Sequence, residues 1–286
     1  MKKTLLVALC VLMIVVLCGC STGGFMPRSQ VNSLVKKYGT PEAKVTISYV
    51  VNNKTIKLDL FYDLLLDKTP ITVVNFINLV EAGYYNNTLI DTNLSGGSSH
   101  YMIGGRYYAK DFEETDDQDN TQIVTKYFNC PAQPRFVGEF QSNFYKAPKA
   151  TEKGDDGYSK FEMFSLAMYH GANVEDFDNA NGAIIISTSQ DYTLNYKNYA
   201  VFAHLTGVEI SIDGGESTPY TKVPSYVVEN LMDISRSYSR PVYESEEEGA
   251  KSTSVLICTA NITIESIEML GNSDWSKLPK NYVIAD

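Results

Sequence analysis

Few residues of this sequence have the types and spacing that covalent or metal chemistry requires. Of its five cysteines, three fall within the first twenty residues, and no Cys-x-x-Cys pair indicates a zinc or redox centre. There are three histidines, and no His-Glu-x-x-His pattern, phosphate-binding glycine loop or nucleophile elbow occurs. We therefore expect no cofactor and no metal.

Two further groups of residues are compatible with more than one interpretation. Cys130 and Cys258 could form a disulfide in an oxidising compartment, or both could be free buried thiols, since no spacing rule decides between them. The acidic segment 113–119 could bind calcium, but it lacks the glycine and the terminal glutamate of an EF-hand loop. A solvated surface loop is the interpretation that this segment favours.

The overall composition is that of a globular protein. The chain has 286 residues, of which 44% are hydrophobic and 20% charged. It carries 34 acidic and 24 basic side chains, which gives a net charge of −10. This balance argues against a nucleic-acid partner, because phosphates require clustered Lys and Arg.

The first twenty residues have the features of an export signal. A basic start precedes an apolar stretch, residues 5–17, which is too short to span a membrane comfortably. Residues 17–20 (Leu-Cys-Gly-Cys) resemble the lipobox of bacterial lipoproteins. The resemblance implies cleavage before Cys20, lipidation of its thiol, and a chain anchored to the extracytoplasmic face of the cell membrane. An uncleaved anchor or an ordinary signal peptide is the alternative.

The expected domain organisation follows from this start. Residues 1–19 form the signal peptide, 20–43 the lipidated N-terminus and tether with a short helix through 31–37, 44–270 one domain, and 271–286 a C-terminal tail. Loss of residues 1–19 changes the net charge from −10 to −12. That charge predicts repulsion from anionic head groups and a domain that stands away from the membrane.

The elements that must position any site begin with a hairpin and a helix. Residues 45–51 and 55–60 alternate between apolar and polar side chains around an Asn-Asn-Lys turn, which predicts a β-hairpin with one wet face. In the helix that follows, Thr69 can cap the start, Pro70 suits the first turn and Gly83 suits the end. Its apolar stripe consists of Val73, Phe76, Ile77 and Val80.

The rest of the chain predicts further strands separated by polar loops. The expected strands are residues 164–169, 183–188, 199–205 and one long final strand, 255–264. The expected surface loops are residues 107–135, 146–160, 211–225 and 239–253. Many strands with one strong helix favour a closed or nearly closed β architecture with a helical cap.

The order of these elements resembles a cyclophilin. Residues 68–76 (Lys-Thr-Pro-Ile-Thr-Val-Val-Asn-Phe) and 83–88 (Gly-Tyr-Tyr-Asn-Asn-Thr) are similar to the family's Pro-x-Thr-Val-x-Asn-Phe helix and its Gly-Phe-Tyr-x-Gly-Thr segment. Weaker matches follow in the same order at residues 101–105, 138–140, 164–168, 181–187 and 198–205. The resemblance covers residues 44–270 and implies a mainly β fold. The expected fold is an eight-stranded antiparallel closed barrel capped by helices, here with long loop insertions.

The resemblance implies cis–trans isomerisation of peptide bonds that precede proline. Rotation about such a bond has a barrier of about 18–20 kcal/mol, because the nitrogen lone pair is delocalised into the carbonyl. Cyclophilins hold the proline ring in an apolar pocket while an arginine donates a hydrogen bond to the prolyl nitrogen, which stabilises the twisted state. This mechanism needs neither a cofactor nor a metal.

The sequence departs from the family at the residues that carry this chemistry. Thr92 occupies the position of the arginine, and Asp91 that of the preceding histidine. Gly104 stands where a glutamine would hold the substrate backbone, and Ile184 and Ile185 replace two phenylalanines. Loss of one transition-state donor costs about 2.7–4 kcal/mol, or about 10²- to 10³-fold in rate. Weak activity could survive this loss, but efficient catalysis is not expected.

Arg106 is the nearest cation in the sequence and a candidate substitute for the arginine. It could enter the empty position, or it could lie on a solvated loop and pair with Asp111 or Glu113. The second interpretation is favoured, since exposed ion pairs of this kind are common.

The resemblance also predicts a peptide-binding groove. Its predicted residues are Tyr101, Met102, Gly104, Ala183, Ile185, Leu194 and Tyr199. The tyrosine pairs at 84–85 and 107–108 could line the same groove. We expect an extracytoplasmic peptidyl-prolyl isomerase that assists folding of exported proline-containing proteins. The alternative is a non-catalytic peptide-binding or scaffold lipoprotein with the same fold.

Overall fold

The structure is a computed structural model. It describes residues 25–93, 101–115, 119–136, 138–140, 145–146, 157–171, 180, 182–188, 198–234, 237–247, 249–258 and 262–280. The predicted signal peptide, residues 1–19, and the predicted lipidation site Cys20 lie outside the described residues, as does Leu194.

The described chain contains three α-helices and twelve strands. The helices are α1 (Arg28–Tyr38), α2 (Pro70–Glu81) and α3 (Ser225–Ile234), and a 3₁₀ turn covers Trp275–Lys277. The first six strands are β1 (Glu42–Val51), β2 (Lys54–Leu64), β3 (Thr88–Asn93), β4 (Tyr101–Thr115), β5 (Thr121–Asn129) and β6 (Leu166–Met168). The others are β7 (Ile184–Ser187), β8 (Val201–Ile212), β9 (Thr218–Tyr220), β10 (Ser237–Tyr243), β11 (Ser252–Cys258) and β12 (Ile262–Met269).

Eight of the strands close into an antiparallel barrel. Their order is β4-β3-β12-β1-β2-β8-β6-β7, and β7 pairs with β4 to complete the circle. The prediction of an eight-stranded closed barrel is confirmed. Strand β5 pairs with the outer half of β4, β10 pairs with β5, and β11 pairs with β10. These three strands form an appended sheet at the side of the barrel.

The predicted hairpin forms β1 and β2. Asn52 and Asn53 have φ values of 51° and 60°, the left-handed pair that a tight hairpin turn requires. Alternate side chains of β2 are buried, beginning with Ile56, Leu58 and Leu60. The predicted apolar face of the hairpin therefore lines the barrel interior.

Helix α2 packs against the barrel almost all round its circumference. The predicted stripe is buried, and so are Ile71 and Val74 outside it. Thr69 stands at the N-cap position, but its side chain makes no capping hydrogen bond. A buried carboxylate from elsewhere in the chain, Glu139, accepts a hydrogen bond from the Thr72 amide at 2.8 Å instead. The start of α2 is therefore satisfied by a long-range contact.

The prediction of one final strand over residues 255–264 is wrong. The structure has two strands here, since β11 pairs with β10 in the appended sheet and β12 pairs with β1 and β3 in the barrel. A segment rich in β-branched residues does not reveal that the chain passes from one sheet to the other.

Several predicted loops also contain regular structure. The polar segment 107–135 includes the outer half of β4 and all of β5, which pair over nine residues from Tyr107–Asn129 to Thr115–Thr121. The segment 211–225 contains β9, and 239–253 contains most of β10. These strands show little apolar alternation because much of their surface faces solvent, and backbone pairing defines them. Most of residues 146–160 lie outside the described chain.

The expected short helix near the N-terminus is α1, which ends before Gly39. Its Val31, Leu34 and Tyr38 are buried in the main core, so this part of the predicted tether is packed on the barrel. None of the helices described is long and apolar enough to cross a bilayer.

Candidate functional site

Two facing irregularities in strands β3 and β4 create the site. Thr88 pairs with Tyr108 and Ile90 with Gly104, so β4 has three residues where β3 has one. The next pair is Thr92 with Ile103, so here β3 has one additional residue, Asp91. Bulges of this kind redirect side chains away from the regular alternation of a strand. They bring residue 91 of one strand and residue 106 of the other into contact.

Gly105 permits the larger bulge. Its φ is 80°, and a Cβ atom there would lie 3.1 Å from the ring of Tyr85, so a side chain would meet both backbone strain and a steric clash. The Tyr84 hydroxyl donates to the Gly105 carbonyl at 2.9 Å. The Tyr85 hydroxyl donates to the carbonyl of Gly182 at 2.7 Å. The two tyrosines therefore connect the bulge to the chain just before β7.

Arg106 and Asp91 form a bidentate ion pair. The Arg106 Nε lies 3.0 Å from Asp91 Oδ2, and Nη2 donates to Oδ1. Asp91 is fully buried, whereas the Arg106 side chain is 24% exposed. Burial disfavours the charged guanidinium, but the hydrogen bonds and charge of Asp91 more than offset this, and the pKa of Arg106 lies above its ordinary value. The guanidinium is therefore a fixed cation with a defined orientation.

This geometry overturns the favoured interpretation of Arg106. The residue lies on a strand, and it does not pair with Asp111 or Glu113. Asp111 accepts a hydrogen bond from the Thr125 hydroxyl at 2.7 Å. The sequence did not indicate the pairing with Asp91, because it depends on two bulges whose register only the folded sheet defines.

The guanidinium lies beside an apolar cluster on the outside of the barrel. This outer cluster consists of buried Ile103, Phe161, Ala167, Ala183, Ile185 and Val201 with half-buried Tyr101, Tyr169 and Tyr199. The Arg106 Cζ is 5.2 Å from the centroid of the Tyr169 ring, within range of a cation–π contact. Burial raises the pKa of Tyr101 to about 12, so its hydroxyl stays protonated at neutral pH.

Four of the predicted groove residues meet in the outer cluster, namely Tyr101, Ala183, Ile185 and Tyr199. Met102 is instead fully buried in the main core inside the barrel, as is Ile184. A Cβ at Gly104 would lie 2.7 Å from Ile264 Cδ1, so this position also faces the interior. Residue 104 therefore cannot direct a glutamine-like side chain toward the outer cluster.

The position of Thr92 is defined by its backbone, which pairs with that of Ile103 in the outer cluster. Position 92, at which the resemblance predicts the family's arginine to be replaced, thus lies on the strand segment next to this cluster. Arg106 reaches the same neighbourhood from the adjacent strand.

A cleft of about 680 Å³ continues from the outer cluster to the appended sheet. Arg106, Tyr169 and Ala183 line its inner part. Glu244 and Glu246, which follow β10, line its far wall. The remaining wall includes Tyr84, Tyr107, Tyr108 and Cys130. The predicted tyrosine pairs thus contribute three of their four members, whereas Tyr169 and the glutamates carried no signal in the sequence.

Cys130 is a free thiol, so it forms no disulfide with Cys258. Burial and the nearby charge of Asp91 raise its pKa to about 12. A thiol of this kind is protonated at neutral pH and is a poor nucleophile. Within the described residues, no group of three or more His, Cys, Asp or Glu side chains is placed to hold a metal ion.

An outer apolar cluster next to a fixed cation is suited to binding a partly apolar ligand without covalent chemistry. The cation can donate hydrogen bonds to a polar group of that ligand. The sequence model of one family, described as cyclophilin type peptidyl-prolyl cis-trans isomerase/CLD, matches residues 46–213. The chain belongs to this family.

Solved structures similar to the chain are also cyclophilins. A cyclophilin type peptidyl-prolyl cis-trans isomerase of Cryptosporidium parvum is 14% identical, with 82% of this chain and 99% of that chain covered and a TM-score of 0.41. A crystal structure of that protein in the presence of the dipeptide Ala-Pro is 14% identical, with 77% and 99% covered and a TM-score of 0.33. The Mimivirus cyclophilin is 14% identical, with 79% and 90% covered and a TM-score of 0.33. No curated protein matches the chain.

Proposed function

We propose that this cyclophilin is a lipid-anchored, extracytoplasmic isomerase of Xaa-Pro bonds in exported proteins, with Arg106 supplying the cation that position 92 lacks. The observation that carries the proposal is the placement of the Arg106 guanidinium beside Tyr169, at the junction of the outer cluster and the cleft. A proline ring would pack on the outer cluster, and the rest of the peptide would extend along the cleft.

The expected chemistry is electrostatic stabilisation of a twisted amide. As the peptide bond rotates, the prolyl nitrogen regains its lone pair and becomes a hydrogen-bond acceptor. A guanidinium held in place by Asp91 costs little reorganisation when that acceptor forms. Asp91 would act as a positioning residue, since it contacts the arginine and not the peptide.

A second function has a specific observation in its favour. Two of the five N–H groups of Arg106 are directed at Asp91, and this pairing orients the guanidinium toward the protein. If that orientation persists when a peptide binds, the protein would be a binding module for proline-containing segments without turnover.

NMR exchange spectroscopy on an Ala-Pro-Phe peptide distinguishes the two functions, because it detects binding and isomerisation in one sample. We expect accelerated exchange with the unmodified domain, and about a 10²- to 10³-fold loss in a variant that replaces both charges, Asp91→Asn with Arg106→Gln. Replacement of both residues avoids leaving a buried carboxylate without its counterion. The matched control is Lys44→Ala, which removes a surface cation paired with Glu268 on another part of the barrel.

Peptide shifts without accelerated exchange would leave the binding module as the function. In that case, Thr92→Arg should create turnover if the rest of the groove is competent. If the peptide showed no shifts and no accelerated exchange, both functions would be refuted.

The anchoring part of the proposal has its own test. Mass spectrometry of the purified membrane-fraction protein should show an N-terminus at Cys20 with a diacylglyceryl modification. A Cys20→Ser variant should be absent from the membrane fraction, and its barrel should still unfold cooperatively. A mature N-terminus elsewhere would refute lipidation but not isomerisation.

A further inference from the structure

Helix α1 has a basic exposed face in an acidic protein. Arg28, Lys36 and Lys37 are exposed on it, and the helix contains no Asp or Glu. The whole chain has a net charge of −10. The charge on this helix is therefore opposite in sign to that of the protein that carries it.

The helix is fixed to the barrel, so its exposed face has a definite direction. Its opposite face is buried in the main core, and the ring of Tyr38 stacks on Trp275 with 5.1 Å between centroids. The packing starts even before the helix, since Met26 is only 6% exposed. Phe25 packs on Tyr145 at 4.9 Å but remains 36% exposed.

The three cations form no ion pair with a carboxylate of the described chain. The Arg28 guanidinium donates to the main-chain carbonyl of Asp67 at 2.9 Å. Lys37 donates to the Tyr38 hydroxyl at 2.8 Å. Asp274, whose main-chain carbonyl accepts a hydrogen bond from the Tyr38 hydroxyl, has its carboxylate paired with Lys277 at 2.7 Å. The positive charge of α1 is therefore available to an external anion.

The distance to the predicted anchor is short. Five residue steps separate Cys20 from Phe25, which at full extension span about 17 Å. The helix itself is about 16 Å long. A lipid at Cys20 would therefore hold α1 close to the head groups, where surface charge is felt over about 8–10 Å.

We propose that the exposed face of α1, with Phe25 at its start, is the surface by which this protein lies on an anionic bilayer. This inference rests on the proposed lipid anchor. The net charge alone predicts that the whole domain stands away from the membrane. In this proposal the basic helix instead faces the membrane and directs the acidic barrel away from it. Exposed cations next to an aromatic side chain suit the interface between anionic head groups and acyl chains.

Fluorescence quenching on vesicles tests this orientation. The full lipidated chain would carry a bimane label at Ser33→Cys on α1 or at Lys54→Cys at the start of β2, and the vesicles would contain phosphatidylglycerol and a head-group spin label. We expect strong quenching at position 33 and little at position 54. Raised salt should reduce the first, because the attraction is screened.

Charge reversal provides the matched controls. Arg28→Glu with Lys36→Glu and Lys37→Glu should lower quenching at position 33 to the level at position 54, while flotation with the vesicles persists through the lipid. The control reverses three exposed cations elsewhere in the chain, Lys222, Arg240 and Lys251, and should leave the quenching unchanged. Equal quenching at both labels, or no loss on reversal of the α1 charges, would overturn the proposal.

A second format separates this inference from the anchor. If the full chain does not float with vesicles, lipidation is refuted. A histidine tag in place of residues 1–20, bound to nickel-chelating lipid, then holds the same N-terminus at the bilayer. Quenching at position 33 in phosphatidylglycerol vesicles, and not in neutral ones, would still support the basic face. If position 33 showed no such quenching in this format, the proposed membrane-facing surface of α1 would be refuted.

Discussion

Asp91 and Arg106 lie on neighbouring strands, each at a bulge, and form a bidentate ion pair with the carboxylate fully buried and the guanidinium 24% exposed. The pair joins the barrel wall to the cleft. Because an arginine fixed in this way can present a charge without moving, the same contact determines both local stability and the chemistry proposed for the groove.

Replacement of Arg106 and replacement of Asp91 should lower the free energy of unfolding by different amounts. Arg106→Gln removes the cation from a buried carboxylate and should lower the free energy of unfolding by about 3–5 kcal/mol. Asp91→Asn should cost less, because the arginine side chain is already partly exposed and can turn to solvent. The double variant should recover much of the loss. Urea unfolding of the three variants measures the cycle, and additive single effects would contradict the coupling.

Gly105→Ala should destabilise the fold and disturb the position of Arg106. The left-handed backbone alone costs an alanine roughly 1–2 kcal/mol, and the contact with the Tyr85 ring adds to it. Gly249→Ala is a matched control, since its φ is also 80° but no atom lies within 4 Å of the added Cβ. The difference in unfolding free energy between the variants isolates the contact with Tyr85. Equal losses would show that the ring moves away freely.

Gly104→Ala should lower stability by about 1–3 kcal/mol, because the new methyl group is forced against Ile264 inside the barrel. The effect should shrink in an Ile264→Val background, which removes the Cδ1 atom that the methyl group meets. Thermal unfolding of the single and double variants checks this. If Gly104→Gln gave a stable protein with increased peptide binding, the interior placement of residue 104 would be wrong.

Glu139 should make stability depend on pH. Burial raises its pKa to about 8, although the amides of Thr72 and Ile71 favour the charged form. The folded carboxyl therefore holds its proton to a higher pH than the unfolded one, so stability should fall as the pH rises from about 4.5 to about 8, by on the order of a few kcal/mol.

Glu139→Gln should flatten that dependence, because the amide keeps an acceptor oxygen for Thr72 but cannot ionise. Glu216→Gln, an exposed position, should leave the slope unchanged. Urea unfolding at pH 5, 7 and 9 measures all three proteins. A wild-type stability that rises from pH 5 to pH 7 would show that the helix amides outweigh burial.

Local patterns in the sequence predicted the elements that carry strong local signals. The β1–β2 hairpin, with its Asn-Asn turn, and helix α2, with Pro70 and Gly83 near its ends, formed where the periodicity placed them. The cap of α2 was not foreseen, since Glu139 is far from Thr72 in the chain. Strands β5 and β10 of the appended sheet lie in segments predicted as loops, because half-exposed polar strands lack the alternation that a sequence reveals.

The features of the candidate site also fall into two groups, those that the sequence predicted and those that only the tertiary structure defined. Sequence resemblance predicted the family, which the family model confirms, and four residues that the structure places in the outer cluster, while the departure at position 92 stays a prediction. Only the tertiary structure decided that Gly104 and Met102 face the barrel interior and that Arg106 pairs with Asp91. The physical reason is that a bulge changes which face a side chain occupies, and its position is set by pairing between strands rather than by the strand's own residues.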